Sequence, residues 1–97
     1  MRLTPEQIST VVQFTHQVMG ADAVVSVFGS RLDETRRGGD LDLLIEAGQR
    51  PTLLQRAELK TRLEAALQMP VDITGRQKGS PLRPFEAIAK AASHRLG

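Results

Sequence analysis

The stretch VVSVFGSRLDETRRGGDLDLLIEA, residues 24–47, decides the fold of this chain. It opens with a short β-branched run, Val24–Phe28, which predicts a buried strand. Gly29 and Ser30 close that run and predict a tight turn. A second apolar run, Asp40–Ile45, follows a pair of glycines and predicts another strand. The stretch therefore predicts two strands joined by a basic connection that contains glycine.

Two helices with clear N-terminal signals flank this stretch. Thr4 with Gln7 predicts a capping box, and the apolar residues that follow recur at three- and four-residue steps as far as Gly20. Thr52 with Gln55 repeats the signature and predicts a second helix. The apolar stripe of that helix comprises Leu59, Leu63, Ala66 and Leu67.

The remaining residues predict one more strand and one more helix. Val71–Thr74 reads as a strand and Gly75–Ser80 as a basic loop. A last helix begins near Pro81 or Pro84. Its apolar face comprises Phe85, Ile88, Ala89 and Ala92. The order predicts an α/β (α+β) domain with a three-stranded sheet and helices mainly on one face, spanning residues 1–97 as a single domain.

Composition excludes several classes of protein. The 97 residues contain no cysteine, which excludes disulfides, zinc ribbons, iron-sulfur ligation and thiol nucleophiles, and we expect a cytoplasmic protein. No segment is apolar for long enough to span a membrane. The aromatic residues are three phenylalanines, with no tryptophan or tyrosine, so recognition of nucleic acid by base stacking is not expected.

Charge is distributed unevenly along the chain. Residues 1–75 carry 8 Lys/Arg and 10 Asp/Glu, a net charge of −2, whereas residues 76–97 carry 5 and 1, a net charge of +4. Such asymmetry is typical of a segment that faces an anion, for instance a phosphate, a partner protein or a nucleic-acid backbone. A solvated basic helix accounts for these charges equally well.

Three aspartates are candidate metal ligands. Asp40 and Asp42 are two residues apart on one predicted strand, so their carboxylates project from the same face. Carboxylates held that close repel unless a cation lies between them, and hard oxygen ligands suit Mg²⁺ or Mn²⁺. Asp72 occupies a similar position on the third strand and joins the pair if the two strands are neighbours. A charged strand edge that blocks edge pairing is the alternative interpretation.

Gly29 and Ser30 form a candidate phosphate cradle. A glycine allows an anion to approach the backbone closely, and the amides and hydroxyl that follow can donate hydrogen bonds to it. Arg31 and Arg37, together with Arg36, supply cations next to this turn. The alternative is a plain turn in which Ser30 caps a short helix.

These motifs in combination resemble the signature of the polymerase β-like nucleotidyltransferase superfamily, specifically its minimal nucleotidyltransferase members. The resemblance rests on Phe28–Ser30 (FGS), Asp40–Ile45 (DLDLLI) after nine intervening residues, and Val71–Ile73 (VDI) at the position of the third aspartate. It covers nearly the whole chain, because the core of that family is helix, strand, helix, strand, helix, strand with a mixed sheet.

The resemblance implies a site and an activity. Gly29 and Ser30 would bind the nucleotide phosphates, with Arg31 and Arg37 as further candidates, and Asp40, Asp42 and Asp72 would be the catalytic residues that hold two Mg²⁺ ions. It further implies nucleotidyl transfer, usually from ATP, to a hydroxyl acceptor. Minimal members are commonly antitoxins of a HEPN-domain ribonuclease toxin, which some of them inactivate by adding AMP to a tyrosine.

Two other functions are compatible with the sequence. Many antitoxin members have Arg and Gly where this chain has Asp33 and Glu34, so the domain could neutralise a partner by binding alone. A small basic nucleic-acid binder is the third interpretation, disfavoured by the aromatic content. The sequence leaves the acceptor, the nucleotide preference and the oligomeric state undetermined, and a homo-oligomer is compatible with it.

Overall fold

The computed structural model describes residues 3–28 and 41–96. The elements are α1 (Pro5–Met19), β1 (Val24–Phe28), β2 (Leu41–Ala47), α2 (Leu53–Leu67), β3 (Val71–Gln77), α3 (Pro84–Ala91) and β4 (His94–Leu96). The strands form one mixed sheet in the order β3-β2-β1-β4, in which β2 and β3 are parallel and the other pairs are antiparallel. The predicted α+β class and mixed sheet are confirmed. Of the helices described, none has the length and apolar character that crossing a bilayer demands.

Both predicted capping boxes are present. The Thr4 hydroxyl accepts a hydrogen bond from the Gln7 amide at 3.1 Å, and the Gln7 side chain accepts one from the Thr4 amide at 2.9 Å. Thr52 and Gln55 make the same reciprocal pair at 3.0 and 2.9 Å. Each capping residue contributes about 1 kcal/mol to helix stability, because it satisfies amides that the first helical turn leaves without partners.

The main core lies between one face of the sheet and the helices α1 and α2. Alternate residues of β1 and β2 point into it, as a two-residue period requires. The core cluster comprises Val11, Ala23, Val25, Val27, Leu41, Leu43, Ile45, Ala47, Leu59, Leu63, Leu67 and Val71. Burial of each large aliphatic side chain contributes about 1.5–3 kcal/mol.

Helix α3 packs on the opposite face of the sheet. Leu44 of β2 and Ala89 of α3 are each 1% exposed but do not belong to the main core cluster. The rings of Phe28 and Phe85 meet edge to face, with centroids 6.1 Å apart. The sheet is therefore covered on both faces, with two helices on one side and a short one on the other.

The third strand is longer than predicted because Gly75 is a packing position and not a turn. The strand continues through Gly75 to Gln77, paired with the end of β2. A Cβ atom at Gly75 would lie 3.0 Å from side-chain atoms of Pro51, so the missing side chain permits a close approach. The prediction of a loop from Gly75 was wrong, since a glycine within a strand has the same sequence signature as a turn.

A fourth strand extends the predicted three-stranded sheet. β4 is three residues long and pairs with β1 through Val25–Leu96, Ser26–Arg95 and Val27–His94. The sequence did not predict this strand, because a three-residue edge strand with one apolar residue has no detectable period.

The predicted apolar face of α3 is only partly buried. Ala89 is buried, but Phe85 and Ile88 are 58% and 69% exposed. Glu86 is buried instead, and its side chain accepts a hydrogen bond from the Arg83 amide at 3.0 Å. The helix thus turns its capping carboxylate inward and presents two large apolar side chains to solvent.

Glu46 connects α3 and β3 through two ion pairs. Its carboxylate bonds to the Arg76 guanidinium and to Lys90 Nζ, the latter at 2.9 Å, and both Glu46 and Arg76 are buried. Burial acts to raise the pKa of Glu46, but the hydrogen bonds and charges of Lys90 and Arg76 outweigh it and hold the pKa below its ordinary value. The folded state therefore favours the ionised carboxylate.

We expect Glu46→Gln to lower the free energy of unfolding by about 3 kcal/mol at pH 7, because Arg76 then stays buried without its carboxylate. The pKa of Glu46 is lower in the folded state than the ordinary 4.5, so its contribution is present above that pH and is lost as pH falls through the folded-state pKa. Urea unfolding between pH 7 and 3 measures this: the difference between wild type and variant should shrink in acid.

The control for this series is Glu58→Gln, which removes a carboxylate that is 60% exposed and paired with Arg62 on α2. Its stability should follow that of the wild type across the pH range. A deficit of Glu46→Gln that is independent of pH would contradict the role of the ionised Glu46.

Candidate functional site

Two of the predicted aspartates lie side by side at one end of the sheet. Asp42 and Asp72 are register partners in the parallel ladder of β2 and β3, and neighbouring strands lie about 4.8 Å apart. Leu41, Leu43 and Val71, next to them along the strands, are fully buried in the main core. Because side chains alternate along a strand, both aspartates point to the opposite face. β2 and β3 are therefore neighbours, which is the condition under which Asp42 and Asp72 lie close together.

Both carboxylates are within reach of solvent. The Asp72 side chain is 60% exposed, and Asp42 is half-buried. They lie on the face that carries α3, at the end of the sheet where β2 and β3 begin. A ligand can therefore approach them from solvent without displacing the main core.

A lysine of α2 accompanies Asp72. Lys60 Nζ lies 3.8 Å from Asp72 Oδ1 and donates hydrogen bonds to Glu64 Oε2, at 2.9 Å, and to the Val71 carbonyl oxygen. The Val71 amide donates to the same Glu64 oxygen at 2.8 Å. That amide, followed by Lys60, holds the pKa of Glu64 below its ordinary value. This network fixes the start of β3 next to Asp72.

Sequence analysis did not identify Lys60 or Glu64 as neighbours of the site. The available signal was their spacing of four residues on one helix, which places the two side chains on the same face. That spacing predicts a surface ion pair but not its position against the start of β3. The contact depends on how α2 packs on the sheet.

Phe28 forms a wall beside the aspartates. It ends β1 and is the register partner of Asp42 across the antiparallel ladder. Its ring meets that of Phe85 at an interplanar angle of 71°. An edge-to-face pair of this kind contributes about 0.5–1.5 kcal/mol beyond area burial, and it links the start of α3 to the site.

Part of the predicted site lies outside the described residues. This holds for Asp40, for the phosphate-binding candidates Gly29, Ser30, Arg31, Arg36 and Arg37, and for Asp33 and Glu34. Their roles stay predictions.

The described carboxylates fit a Mg²⁺ ion. No group of three or more His, Asp or Glu side chains within residues 3–28 and 41–96 could hold a metal ion. Asp42 and Asp72 nevertheless present two carboxylates, and Mg²⁺ is typically bound by one or two carboxylates together with substrate phosphates. The donor set therefore matches an ion that arrives with a phosphorylated ligand.

Two cations of the basic segment 76–97 lie at the other end of the sheet. The sequence predicted that Arg76 and Lys78 belong to a basic loop, Gly75–Ser80. Arg76 instead belongs to β3, where it is 3% exposed and paired with Glu46. Lys78 Nζ contacts the carbonyl oxygen of Asp22. Neither residue adjoins Asp42 or Asp72.

Comparison with known proteins identifies similar domains. A family model described as a nucleotidyltransferase domain matches residues 6–94. A solved structure provisionally described as a minimal nucleotidyltransferase is 30% identical, with a TM-score of 0.70, over 94% of this chain and 90% of that one. No curated protein sequence is significantly similar.

Two solved toxin–antitoxin complexes contain a chain of the same fold. One, from Shewanella oneidensis, is a tri-AMPylated HEPN toxin in complex with an MNT antitoxin; the match is 17% identical, with a TM-score of 0.72, over 95% of this chain and 70% of that one. The other is a toxin–antitoxin structure with AMP-PNP, 19% identical, with a TM-score of 0.73, over 93% and 72%. At these identities the likeness concerns the fold.

We expect Mg²⁺ to raise the melting temperature of the wild-type protein, because an ion that binds only the folded state stabilises it. Asp42→Asn and Asp72→Asn should each reduce this shift, since each removes one anionic ligand. Differential scanning fluorimetry with and without Mg²⁺ measures the effect. Glu58→Gln, which removes an exposed carboxylate of α2, should keep the full shift; equal shifts in all variants would place the ion elsewhere.

Proposed function

The chain belongs to the nucleotidyltransferase domain family, in its polymerase β-like form, and we propose that it transfers AMP from ATP to a hydroxyl group of a partner protein in the presence of Mg²⁺. The partner is a HEPN-type toxin, so that the chain acts as its antitoxin. Support for the reaction comes from the family. Support for the partner comes from the similar chain whose complex contains an AMPylated toxin.

The observation that carries this proposal is the register of Asp42 with Asp72. Two neighbouring parallel strands present carboxylates at the same level and on the same accessible face. Edge protection would explain Asp72 on the edge strand β3 but not Asp42, because β2 is an interior strand with a neighbour on each side. Metal-assisted phosphoryl transfer does require two neighbouring carboxylates of this kind.

In this reaction the acceptor oxygen attacks the α-phosphorus of ATP, and the bond from that phosphorus to the pyrophosphate oxygen breaks. Asp72, the more exposed of the two carboxylates, takes the proton of the acceptor hydroxyl. Asp42 and Asp72, with Asp40, would hold the Mg²⁺ ions. Bound Mg²⁺ supplies charge stabilisation for the attacking and leaving oxygens.

The phosphates of ATP would be bound by the turn after β1. Gly29 and Ser30 provide the backbone amides and hydroxyl, and Arg31 and Arg37 provide positive charge. A relative of the same fold was solved with AMP-PNP, an analogue of ATP. Phe28, immediately before this predicted turn, is the aromatic side chain nearest to the turn in sequence. Because the base of ATP then has a single phenylalanine to stack against, we expect weak recognition of the base.

The acceptor belongs to another protein if it is a tyrosine, because this chain contains none.

A candidate surface for the partner protein lies beside the aspartates. Leu82, Phe85 and Ile88 are 42%, 58% and 69% exposed, and Phe85 and Ile88 are three residues apart on α3 and so share one face of it. Exposed apolar patches mark interaction sites. The patch is continuous with the site, because Phe85 contacts Phe28 and Phe28 adjoins Asp42. We assign this apolar patch, Leu82, Phe85 and Ile88, to the HEPN-type partner.

The same patch supports the alternative in which the chain neutralises its partner by binding alone. Apolar contact through α3 needs no catalysis. Asp33 and Glu34, at positions where many antitoxin members have Arg and Gly, agree with that alternative. Catalysis and binding are separable by mutation of the aspartates.

We expect α-labelled ATP, incubated with the chain, Mg²⁺ and the HEPN-type protein encoded beside it, to transfer label to the partner. Asp42→Asn should reduce the transfer by at least about a hundredfold, because it removes an anionic ligand of the Mg²⁺ that stabilises transition-state charge, and loss of one such stabilising group typically costs that much. Glu58→Gln serves as the control and should keep wild-type transfer. Neutralisation of the partner that survives Asp42→Asn, without label transfer, would establish the binding alternative.

We expect the double substitution Phe85→Asp and Ile88→Asp to weaken binding of the partner at least tenfold, because two charges replace apolar contact area. Titration calorimetry measures the affinity. Leu54→Asp is the control, since Leu54 is 82% exposed on α2 and distant in sequence from α3. An equal loss in both variants would place the partner elsewhere.

A further inference from the structure

A polar cavity of about 450 Å³ lies on the α3 face of the sheet, at the end away from the aspartates. Glu46 and Arg76, in its wall, are each four residues further along their strands than Asp42 and Asp72. That separation is about 13 Å. Leu44, which is 1% exposed, lies between the two ends on the same face. The cavity is therefore distinct from the aspartate pair.

The wall of this cavity carries a surplus of positive charge. Its charged side chains are Arg76, Lys78, Lys90, Arg95 and Glu46, so four cations and one carboxylate give a net charge of +3. These four are among the five Lys and Arg residues of the basic segment 76–97. The charge asymmetry of the sequence is thus concentrated around one cavity, which a merely solvated helix would not require.

Glu46 neutralises only part of that charge. Its carboxylate is shared by Arg76 and Lys90. Arg76 is 3% exposed, and its Nε is buried without a hydrogen-bond acceptor among the residues described. Arg95 forms no ion pair within the described ranges, and Lys78 Nζ contacts a carbonyl oxygen, not a carboxylate. Because the buried guanidinium of Arg76 shares its one carboxylate with Lys90, binding of a further anion in the cavity is electrostatically favourable.

A serine hydroxyl completes the donor set. Ser26 and Ser93 both line the cavity, but the Ser93 hydroxyl donates to the Lys90 carbonyl oxygen at 2.8 Å, which leaves Ser26, the register partner of Arg95, as the hydroxyl donor. Register partners of an antiparallel pair present their side chains on the same face, so Arg95 and Ser26 both point to the face that carries α3. Guanidinium, ammonium and hydroxyl donors thus surround one space, a combination typical of phosphate recognition.

We propose that this cavity binds an oligophosphate group, that is, two or more linked phosphates. A phosphate monoester carries only about −1.5 to −2 charges at pH 7, so a surplus of three cations is better matched by a longer chain of phosphates. Among the described residues of the wall, Val24 is the sole large apolar one and none is aromatic. The site therefore recognises phosphates and not a nucleobase. This inference is independent of the proposed transferase activity.

Titration calorimetry of the full chain with inorganic triphosphate, in EDTA and low salt, tests the proposal. EDTA withholds the metal on which binding at the aspartates would depend. We expect saturable binding that Lys78→Gln with Arg95→Gln weakens by about tenfold or more, since two charge-assisted contacts are lost. The control, Arg50→Gln with Arg83→Gln, makes the same change of charge at residues outside the cavity wall. It should bind like the wild type.

Asp42→Asn should leave this binding unchanged, which separates the proposal from the transferase site. Loss of binding in Asp42→Asn, or wild-type affinity in the Lys78 and Arg95 double variant, would overturn it. A parallel titration with ATP distinguishes the source of the phosphates: equal affinity for ATP and triphosphate indicates recognition of the phosphate chain alone, and tighter binding of ATP overturns the exclusion of the nucleoside.

A second measurement locates the anion directly. Triphosphate should shift the backbone amide resonances of Ser26, Ser93 and Arg95 in NMR spectra, and those of Asp42 and Asp72 should move less. The opposite pattern would place the anion at the aspartates and contradict the assignment. Circular dichroism of the Lys78 and Arg95 double variant verifies that it is folded.

Discussion

The position of β2 in the sheet is the constraint on which the rest of the structure depends. β2 pairs with β1 on one side and with β3 on the other, and Leu41, Leu43, Leu44 and Ile45 are almost completely buried. Because a shift of one residue would turn each of these side chains to the wrong face, the register is strongly specified. The same register brings Asp42 level with Phe28 and Asp72. The apolar core thus determines where the polar chemistry lies.

The α3 face of the sheet has two chemically opposite ends. Carboxylates lie where β2 and β3 begin, and cations lie around Glu46 and Arg76. Leu44, which is 1% exposed, lies between them on the same face. The distance of about 13 Å along the strands keeps the two groups from neutralising each other, so each end can hold a ligand of opposite charge. Helix α3 contributes to both ends, through Phe85 at one and Lys90 at the other.

The sequence predicted well those features that depend on local pattern. The capping boxes of Thr4 and Thr52, the two apolar runs that form β1 and β2, and the facing of Asp42 away from the core all follow from spacing along the chain. The pairing of Asp42 with Asp72 needed one assumption, that their strands are neighbours. The structure supplied that fact.

Features that depend on contacts between residues far apart along the chain were not predicted from the sequence. Gly75 has the signature of a turn, and only the approach of Pro51 shows why a strand needs a glycine there. Lys60 reaches Asp72 because of how α2 packs. Phe85 and Ile88 fit an amphipathic pattern together with Ala89, yet only Ala89 of these three is buried, and Glu86 is buried beside it. In each case the deciding neighbour lies far along the chain or in the sheet below.

The pairing of β4 with β1 has a consequence for the order in which the sheet is completed. Val25 and Leu96 are 71 positions apart, and the chain passes through β2, β3 and α3 between them. Contacts of such long range form late, because the entropy of closing the loop must be overcome first. During synthesis on the ribosome, the outer edge of β1 therefore stays open until α3 has crossed the sheet, and an unpaired edge is where nascent chains associate. Prompt engagement of another protein on the α3 face would shorten that interval.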